Sequence, residues 1–375
     1  MKKIRVGVIG AGIMGAKHIA NIAANKIDGM ELAAVCDINR DKLEKVQKQY
    51  GSKITVFENY IEMYKSGLID MVLIAAPHYD HPKMAIDGFA HRLHVLTEKP
   101  AGVYVKEVRK MNEAAEKSDK LFGIMYNQRT NPIYQKVYDL VRSGELGEIK
   151  RTNWIVTDWY RPQAYHDSGT WRSTWDGEGG GVLINQVPHQ LDLWQWICGM
   201  PVKVTAFCGF GRYYDIDVDD DVTAFVTYKS GATGVLITST GEAPGTNRFE
   251  IAGSRGRIVV ENNEIVFSRL RQDEREFNKT NKIAFNRPEA WECKVPASGE
   301  NLQHVGILRN FANAVLKGEK LIAPGVEGIK GLTISNAIHL SAWTGREVPI
   351  PFDEDMHYEL LKQRIESSRQ KSKNK

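Results

Sequence analysis

Strict alternation of short apolar runs and amphipathic stretches over the first 125 residues limits the fold of this chain more than any other feature. The apolar runs cover 4–9, 32–36, 71–76, 94–97 and 121–125, with amphipathic stretches near 15–25, 39–50, 82–91 and 104–118. Such a pattern predicts right-handed βαβ units and a doubly wound parallel sheet covered on both faces. Beyond Met125 the pattern changes. Residues 131–143 read as one helix closed by turns at Gly144 and Gly147. Runs with β character follow at 150–156, 202–207, 222–228, 234–239, 249–252, 258–260 and 265–267, and helical patterns return at 304–317 and 327–343. A chain of 375 residues exceeds one comfortable core, so two domains are expected. The fold class is α/β: an N-terminal Rossmann doubly wound parallel sheet over 1–125, then a C-terminal α+β domain over 126–362 with an open, mostly antiparallel sheet. A basic, disordered tail is expected over 363–375.

The first strand runs into Gly10-Ala11-Gly12-Ile13-Met14-Gly15, which opens the first helix. Gly10 permits the tight turn, Gly12 lets backbone amides approach a pyrophosphate, and Gly15 lets helix and strand pack closely. The helix N-terminus adds unpaired N–H groups and a partial positive charge. Asp37 lies at the end of the second strand, 22 residues past Gly15. Its carboxylate can accept both ribose hydroxyls and would repel a 2′-phosphate, which favours NAD over NADP. Arg40 is a nearby guanidinium of the kind that accommodates that phosphate. The competing reading makes the glycines a plain turn and Asp37 a helix cap; three concordant features weigh against it.

Glu98-Lys99-Pro100 follows the fourth apolar run, at the strand end where an open parallel sheet places its ligands. An ammonium there would favour the alkoxide of a substrate hydroxyl. A solvated lysine in a pre-proline turn is the equal alternative. In Gly179-Gly180-Gly181-Val182-Leu183-Ile184-Asn185-Gln186-Val187-Pro188-His189-Gln190-Leu191-Asp192, Asn185 and His189 share a face if the segment is helical, although Pro188 suits a first turn better than an interior. His189 titrates near neutrality as a working base does; a lone helical histidine is more often structural. Two HxxH spacings, His78/His81 and His91/His94, place no two imidazoles firmly on one face, and no metal is expected. The run Asp215, Asp217, Asp219, Asp220, Asp221 lacks the glycine and glutamate of a calcium loop and reads as a solvated loop.

The Gly10–Gly15 motif, Asp37, Glu98-Lys99-Pro100, Asn127-Gln128-Arg129, Trp171-Arg172 and the Gly179-to-Asp192 block together resemble the glucose–fructose oxidoreductase/inositol dehydrogenase (Gfo/Idh/MocA) family. The resemblance covers nearly the whole chain apart from the tail. It implies a nicotinamide cofactor, a second domain whose open sheet often joins subunits into homo-oligomers, and oxidation or reduction of a carbohydrate or polyol hydroxyl. It implies that Lys99 is the catalytic lysine and His189 the proton-transferring histidine. Gly10, Gly12, Ile13, Met14, Gly15, Asp37, Arg40, Ala76, Pro77, His81, Glu98, Lys99, Asn127, Arg129, Trp171 and Arg172 form the implied cofactor set. The implied substrate set adds Tyr126, Asp158, Tyr160, Tyr165, His166 and Asn185 to Lys99, Trp171, Arg172 and His189. Asn185 departs from the family, many of whose members carry Asp there. A neutral amide can hydrogen-bond a hydroxyl but cannot share a proton or strengthen the Lys99 charge, so His189 is expected to act more alone. The stretch from Thr157 to Trp196 is most similar to members that oxidise glycosides at a ring hydroxyl, including those that make 3-keto-glycosides. A redox-neutral, NAD-using glycosidase and a non-catalytic NAD-binding regulator are the alternatives on the same fold.

Charge and aromatic distribution narrow the partners. Residues 363–375 carry five basic groups and one acidic group, the whole net charge of +4, so the body is neutral and offers no nucleic acid a basic face. Six of eight tryptophans (Trp154, Trp159, Trp171, Trp175, Trp194, Trp196) fall within 43 residues. One of the pair Trp194 and Trp196 reads as core; the others, interleaved with Tyr160, Tyr165, Asp158 and Arg172, read as the wall of a carbohydrate pocket. The first residues show no apolar run ending in a small-residue cleavage site and no stretch is long and apolar enough to span a membrane, so neither secretion nor membrane insertion is expected. The four cysteines show no CxxC spacing, so a reduced, cytoplasmic setting is expected.

Overall fold

The structure, a computed structural model, describes residues 3–374, with side chains through residue 370. Its contacts divide the chain into two units: residues up to Thr130 with Leu302–Leu332, and Asn131–Asn301 with the residues from Thr333 onward.

In the first unit, β1 (Ile4–Ile9), β2 (Met30–Cys36), β3 (Thr55–Phe57), β4 (Met71–Ile74), β5 (His94–Thr97) and β6 (Phe122–Ile124) form a parallel sheet in the order β3-β2-β1-β4-β5-β6. The connecting helices are α1 (Ile13–Ala23), α2 (Arg40–Tyr50), α3 (Tyr60–Lys65), α4 (His81–Ala90) and α5 (Val105–Glu116). The strand order reverses between β1 and β4, and the loops leaving their C-terminal ends frame the ligand crevice of such sheets. Every residue of β4 is buried, as a strand covered on both faces must be. On α1 the buried residues Gly15, His18, Ile19 and Ile22 recur at helical spacing and turn that face inward.

The second unit holds β7 (Ile149–Val156), β8 (Lys203–Phe210), β9 (Asp219–Thr227), β10 (Thr233–Ser239), β11 (Asn247–Gly253), β12 (Gly256–Glu261), β13 (Glu264–Leu270), β14 (Ala290–Val295) and β15 (Val348–Pro349). They form one sheet, β14-β13-β12-β11-β7-β10-β9-β8-β15, antiparallel except where β7 meets β10. Its helices are α6 (Pro132–Arg142), α7 (Gln163–His166), α8 (Val182–Asn185), α9 (Pro188–Cys198) and α10 (Glu274–Thr280). Further along the chain come α11 (Gln303–Lys317), which is part of the first unit, then α12 (Gly328–Thr344) and α13 (Glu354–Asn374). One sheet face packs its valines, leucines and isoleucines against Val137 of α6, Leu191 and Trp194 of α9, and Ile334 and Ile338 of α12. The other face leaves Phe207 and Phe225 exposed.

Four expectations need correction. The second domain does not run unbroken from 126 to 362, because α11 belongs to the first unit. Phe311 of α11 lies against Gly123 of β6, and Pro324 bridges to the same glycine. The tail is not disordered from residue 363, since α13 continues through it. His357, Leu361, Arg364 and Ser368 make an inward stripe; Arg364 lies 4.1 Å over the Trp343 ring, and Arg369 pairs with Asp176 at 2.7 Å. Lys375 and the side chains from 371 onward lie outside the described residues. The aspartate run is not wholly solvated either. Asp219 and Asp220 are buried, Asp219 accepting from Gly181 N and Leu183 N, Asp220 from Arg212 N and Tyr213 N. Finally, most of the tryptophan cluster is core. Trp154, Trp175 and Trp194 are buried, and each indole N–H has an acceptor: Asn247, the Asp217 carbonyl and Thr152 respectively. Trp196 stacks on Tyr138 and Trp159 packs against the same core, which leaves Trp171 as the tryptophan available for a pocket wall.

Candidate functional site

The glycine turn is shaped by steric need. Gly10 adopts φ +87, its N–H donates to the Cys36 carbonyl at 2.7 Å, and a Cβ there would collide with the Ala75 carbonyl. A Cβ on Gly15 would overlap the Gly10 carbonyl oxygen, whereas one on Gly12 would meet nothing within 4 Å. Open space therefore lies beside Gly12, where α1 begins and where Ile13 is exposed and Met14 half-buried. Buried Asp37, one residue past β2, accepts from Ala11 N at 2.7 Å and Asn39 N at 2.8 Å, with Lys42 Nζ at 3.3 Å. Its carboxylate is thus tied to the glycine turn. Arg40 begins α2, exposed, 3.7 Å from Glu44; Ala76 and Pro77 follow β4 at the same end of the sheet. These residues fit a dinucleotide. The cradle is one that side chains would fill, and Asn127 Oδ1 is buried without a hydrogen-bond partner, an acceptor a bound amide would satisfy.

Three residues implied for the site are buried in the packing of the first unit. His81 is buried, its ring nitrogens 2.8 Å from the Pro100 and Ala76 carbonyls, so it splices the β4 loop to the Glu98-Lys99-Pro100 turn. Burial pushes its imidazole below the usual range. Tyr126 is buried and directs its hydroxyl to the Gly328 carbonyl. Arg129 is 1% exposed and ion-pairs with Glu327 at 2.5 Å. These side chains fix the frame from behind. Among the described residues no group of three or more His, Cys, Asp or Glu could hold a metal ion.

Glu98 and Lys99 leave the C-terminal end of β5. Glu98 Oε1 meets His18 Nε2 at 2.6 Å, and Oε2 accepts from Lys99 N at 3.1 Å. Burial opposes ionisation of this carboxyl, yet His18, His304 and Lys99 together hold it down at about 2. His304 stands edge-on to His18 with ring centroids 5.6 Å apart, and burial pushes its imidazole down to about 4. Beside it Gln303 Oε1 accepts from Asn127 Nδ2. An ionised carboxylate therefore holds the backbone of Lys99 in place.

In the second unit the segment forms two helices: Asn185 ends α8, and Pro188 and His189 form the first turn of α9, the position proline prefers. Around Asn185 the side chains form a connected network. Tyr165 OH accepts from Asn185 Nδ2 at 3.0 Å, Arg172 NH1 at 2.9 Å and Gln186 Nε2 at 3.3 Å. Arg172 also covers the Trp171 ring at 4.8 Å. Asn185 Nδ2 donates in addition to Glu178 Oε1, whose Oε2 accepts from Ser173 N at 2.7 Å; Ser173 Oγ meets His166 Nδ1 at 2.6 Å. Ser173 holds φ +53, uncommon for a residue with a side chain and stable here because its neighbours fix it from both sides. Burial pushes His166 below the usual imidazole range. Asp158 and Tyr160 are exposed apart from this network; Asp158 accepts from Asn247 Nδ2 on the rim of a polar cleft of about 380 Å³.

The sequence reading missed His18, His304, Gln303, Ser173 and Glu178. His18 had a signal, because it falls on the inward stripe of α1 where a polar residue needs a partner. Glu178 directly precedes the glycine run, but nothing local marks it as buried.

A glycine-turn parallel sheet with an acid just past its second strand, followed by a helix-backed open sheet, defines a class: the nicotinamide-dependent oxidoreductases with a separate substrate domain. Comparison with known proteins narrows this. Residues 4–126 match the model for the oxidoreductase family, NAD-binding Rossmann fold, and residues 134–259 match the GFO/IDH/MocA C-terminal domain. The chain belongs to the Gfo/Idh/MocA family, and its first unit is an NAD-binding Rossmann domain. It is 26% identical over 267 residues to myo-inositol 2-dehydrogenase of Thermotoga maritima, covering 69% of this chain and 75% of that protein. It is 29% identical to an alpha-N-acetylgalactosaminidase of Shewanella oneidensis over 49% of this chain but only 42% of that protein. Among solved structures, the WlbA dehydrogenase from Bordetella pertussis in complex with NADH and UDP-GlcNAcA matches with TM-score 0.79 and 26% identity, over 94% of this chain and all of that one. No helix among the described residues is long and apolar enough to cross a membrane.

Proposed function

We propose that the protein is an NAD-dependent dehydrogenase that oxidises a ring hydroxyl of a sugar or glycoside, at C3, giving a 3-keto-glycoside. The observation that carries this reading is the Arg172–Tyr165–Asn185–Glu178 network, a dense array of donors and acceptors of the kind a polyhydroxylated ring requires, in a chain whose other unit binds NAD. Gly10, Gly12, Gly15 and Asp37 hold the dinucleotide, which when bound accepts the hydride. Lys99, its backbone anchored by Glu98, polarises the reacting hydroxyl. His189 takes the hydroxyl proton. Trp171, Arg172, Tyr165 and Asn185 orient the ring. Carbohydrate and cyclitol activities among similar dehydrogenases support the substrate class.

The test is a panel of glycosides and free sugars with purified protein and NAD, followed by NADH absorbance and by chromatography of the aglycone. NADH accumulating with an oxidised, intact glycoside supports the reading. The glycosidase relative favours a second: NAD-using, redox-neutral glycoside cleavage. Aglycone release without net NADH selects it, and NAD binding with no turnover of any sugar overturns both in favour of a regulator.

A further inference from the structure

We propose that the polar cleft formed by α6, the end of β7, the β10–β11 loop and the β12–β13 hairpin binds an uncharged polyhydroxylated ring; this goes beyond the dehydrogenase reading and does not depend on it. The cleft holds about 380 Å³, within the range of ~300–1,000 Å³ typical of small-molecule sites, and its lining lies wholly within the second unit. Tyr134, Asp158, Asn247, Glu261, Asn262 and Asn263 supply most of its polar groups.

Backbone geometry forms this cleft. A Cβ on Gly245 would meet the Thr157 carbonyl oxygen at 2.2 Å, so glycine lets the β10–β11 loop close onto the residue before Asp158. There Thr157 N donates to the Thr246 carbonyl at 2.7 Å. Asn262 and Asn263 hold φ +51 and +59, the left-handed pair of a tight two-residue hairpin turn, which asparagine tolerates. Asn247 Oδ1 accepts from buried Trp154 Nε1 at 3.2 Å, and its Nδ2 donates to Asp158 Oδ2 at 3.1 Å, which fixes both the amide and the carboxylate.

Hydrogen-bonding capacity is left over in the cleft. Among the described residues, Asp158 Oδ1 and the Tyr134 hydroxyl have no hydrogen-bond partner. Tyr134 is half-buried against Trp154, with ring centroids 5.9 Å apart. Burial, with the charge of Asp158, pushes its hydroxyl up to about 12, so it stays a proton donor. Planar amides and carboxylates beside a fixed donor match neighbouring ring hydroxyls, each of which both donates and accepts. None of the residues lining the cleft is a lysine, arginine or histidine, so a phosphate or carboxylate would enter without a counter-charge. A cation fits no better. Arg248 already pairs with Glu261 at 2.7 Å, and Asp158, the other lining carboxylate, is exposed, where an ion pair is worth little.

Saturation-transfer NMR on the full chain without NAD tests this, with glucose, galactose, myo-inositol and maltose as neutral probes and glucuronate as an anionic one. At least one neutral probe should receive saturation, and glucuronate should bind more weakly than it. Arg172→Ala disables the Tyr165 network and should leave the transfer in place. Adding Thr246→Trp, which sets an indole over the cleft from an exposed position, should abolish it. Tyr134→Phe keeps the ring and removes the unpartnered hydroxyl. It should weaken binding by about three- to tenfold, the worth of one neutral hydrogen bond, with the melting temperature unchanged. The inference is overturned by no transfer to any neutral probe, by transfer lost in Arg172→Ala alone, or by transfer that survives Thr246→Trp. An unchanged affinity in Tyr134→Phe, or tighter binding of glucuronate, overturns it equally. The expected pattern in a protein that forms no NADH on any sugar leaves the cleft standing and removes the dehydrogenase reading instead.

Discussion

A methyl group at position 15 would overlap the Gly10 carbonyl oxygen, and one at position 12 would touch nothing within 4 Å. The two glycines of one turn therefore serve different ends, and their alanine variants should separate. Gly15→Ala is expected to lower the melting temperature, because helix α1 must move off the sheet. Gly12→Ala should leave melting unchanged and weaken NAD binding, because the methyl occupies space the pyrophosphate needs. Equal melting loss in both, read by calorimetry beside NAD titration, would count against the assignment. Asp37 makes a second residue-scale prediction. Its carboxylate would meet a 2′-phosphate with like charge, so Asp37→Ser should raise the NADP-to-NAD ratio of kcat/KM. An unchanged ratio would show that Asp37 does not read the ribose.

At the scale of elements, the sheet separates two kinds of tryptophan. Trp154 stacks on Phe249 of β11 with ring centroids 4.1 Å apart and lies wholly in the core, so Trp154→Ala should cost about 3–5 kcal/mol of stability in denaturant unfolding. Trp171→Ala should change stability little and raise KM for the sugar. Loss of stability alone in the second variant would remove Trp171 from the pocket. The same contrast shows what was legible in sequence. Long periodic elements were readable: 94–97 was expected as a strand and is β5, and the helix expected at 304–317 is α11 almost to the residue. Short elements were not. β3 has three residues, too few for a period, and β14 carries Trp291 and Glu292 on an exposed edge. The glycine turn and the Asp37 carboxylate tied to it were legible because their spacing is local. His304 and the burial of Trp154 and Trp175 were not, since each depends on a partner far along the chain: Glu98 lies 206 positions from His304, as the numbering shows. Burial of an aromatic side chain is decided by tertiary packing, and a count of tryptophans cannot tell a core from a wall.

For the molecule as a whole, buried titratable groups set the response to acid. Burial pushes His304 down to about 4, and burial with the charges of His339 and Arg364 pushes His357 down to about 3, both from an ordinary 6.5. Below pH 6.5 the unfolded chain binds these protons and the folded one does not, so stability falls as pH drops through that window. Glu98, held at about 2 against an ordinary 4.5, extends the loss below pH 4.5. The melting temperature should therefore decline steadily from about pH 6.5 toward pH 3, and a flat profile between pH 7 and 4 would contradict these placements. On function, the central claim is that Lys99 and His189 perform the proton chemistry of an NAD-linked sugar oxidation while the glycine turn binds the nucleotide independently. The most direct measurement is NADH formation on the best substrate of the panel for wild type, Lys99→Ala and His189→Ala, with NAD affinity titrated for all three. The account predicts turnover reduced by about 10²–10⁴-fold in each variant with NAD binding retained. Full turnover in both variants would contradict it.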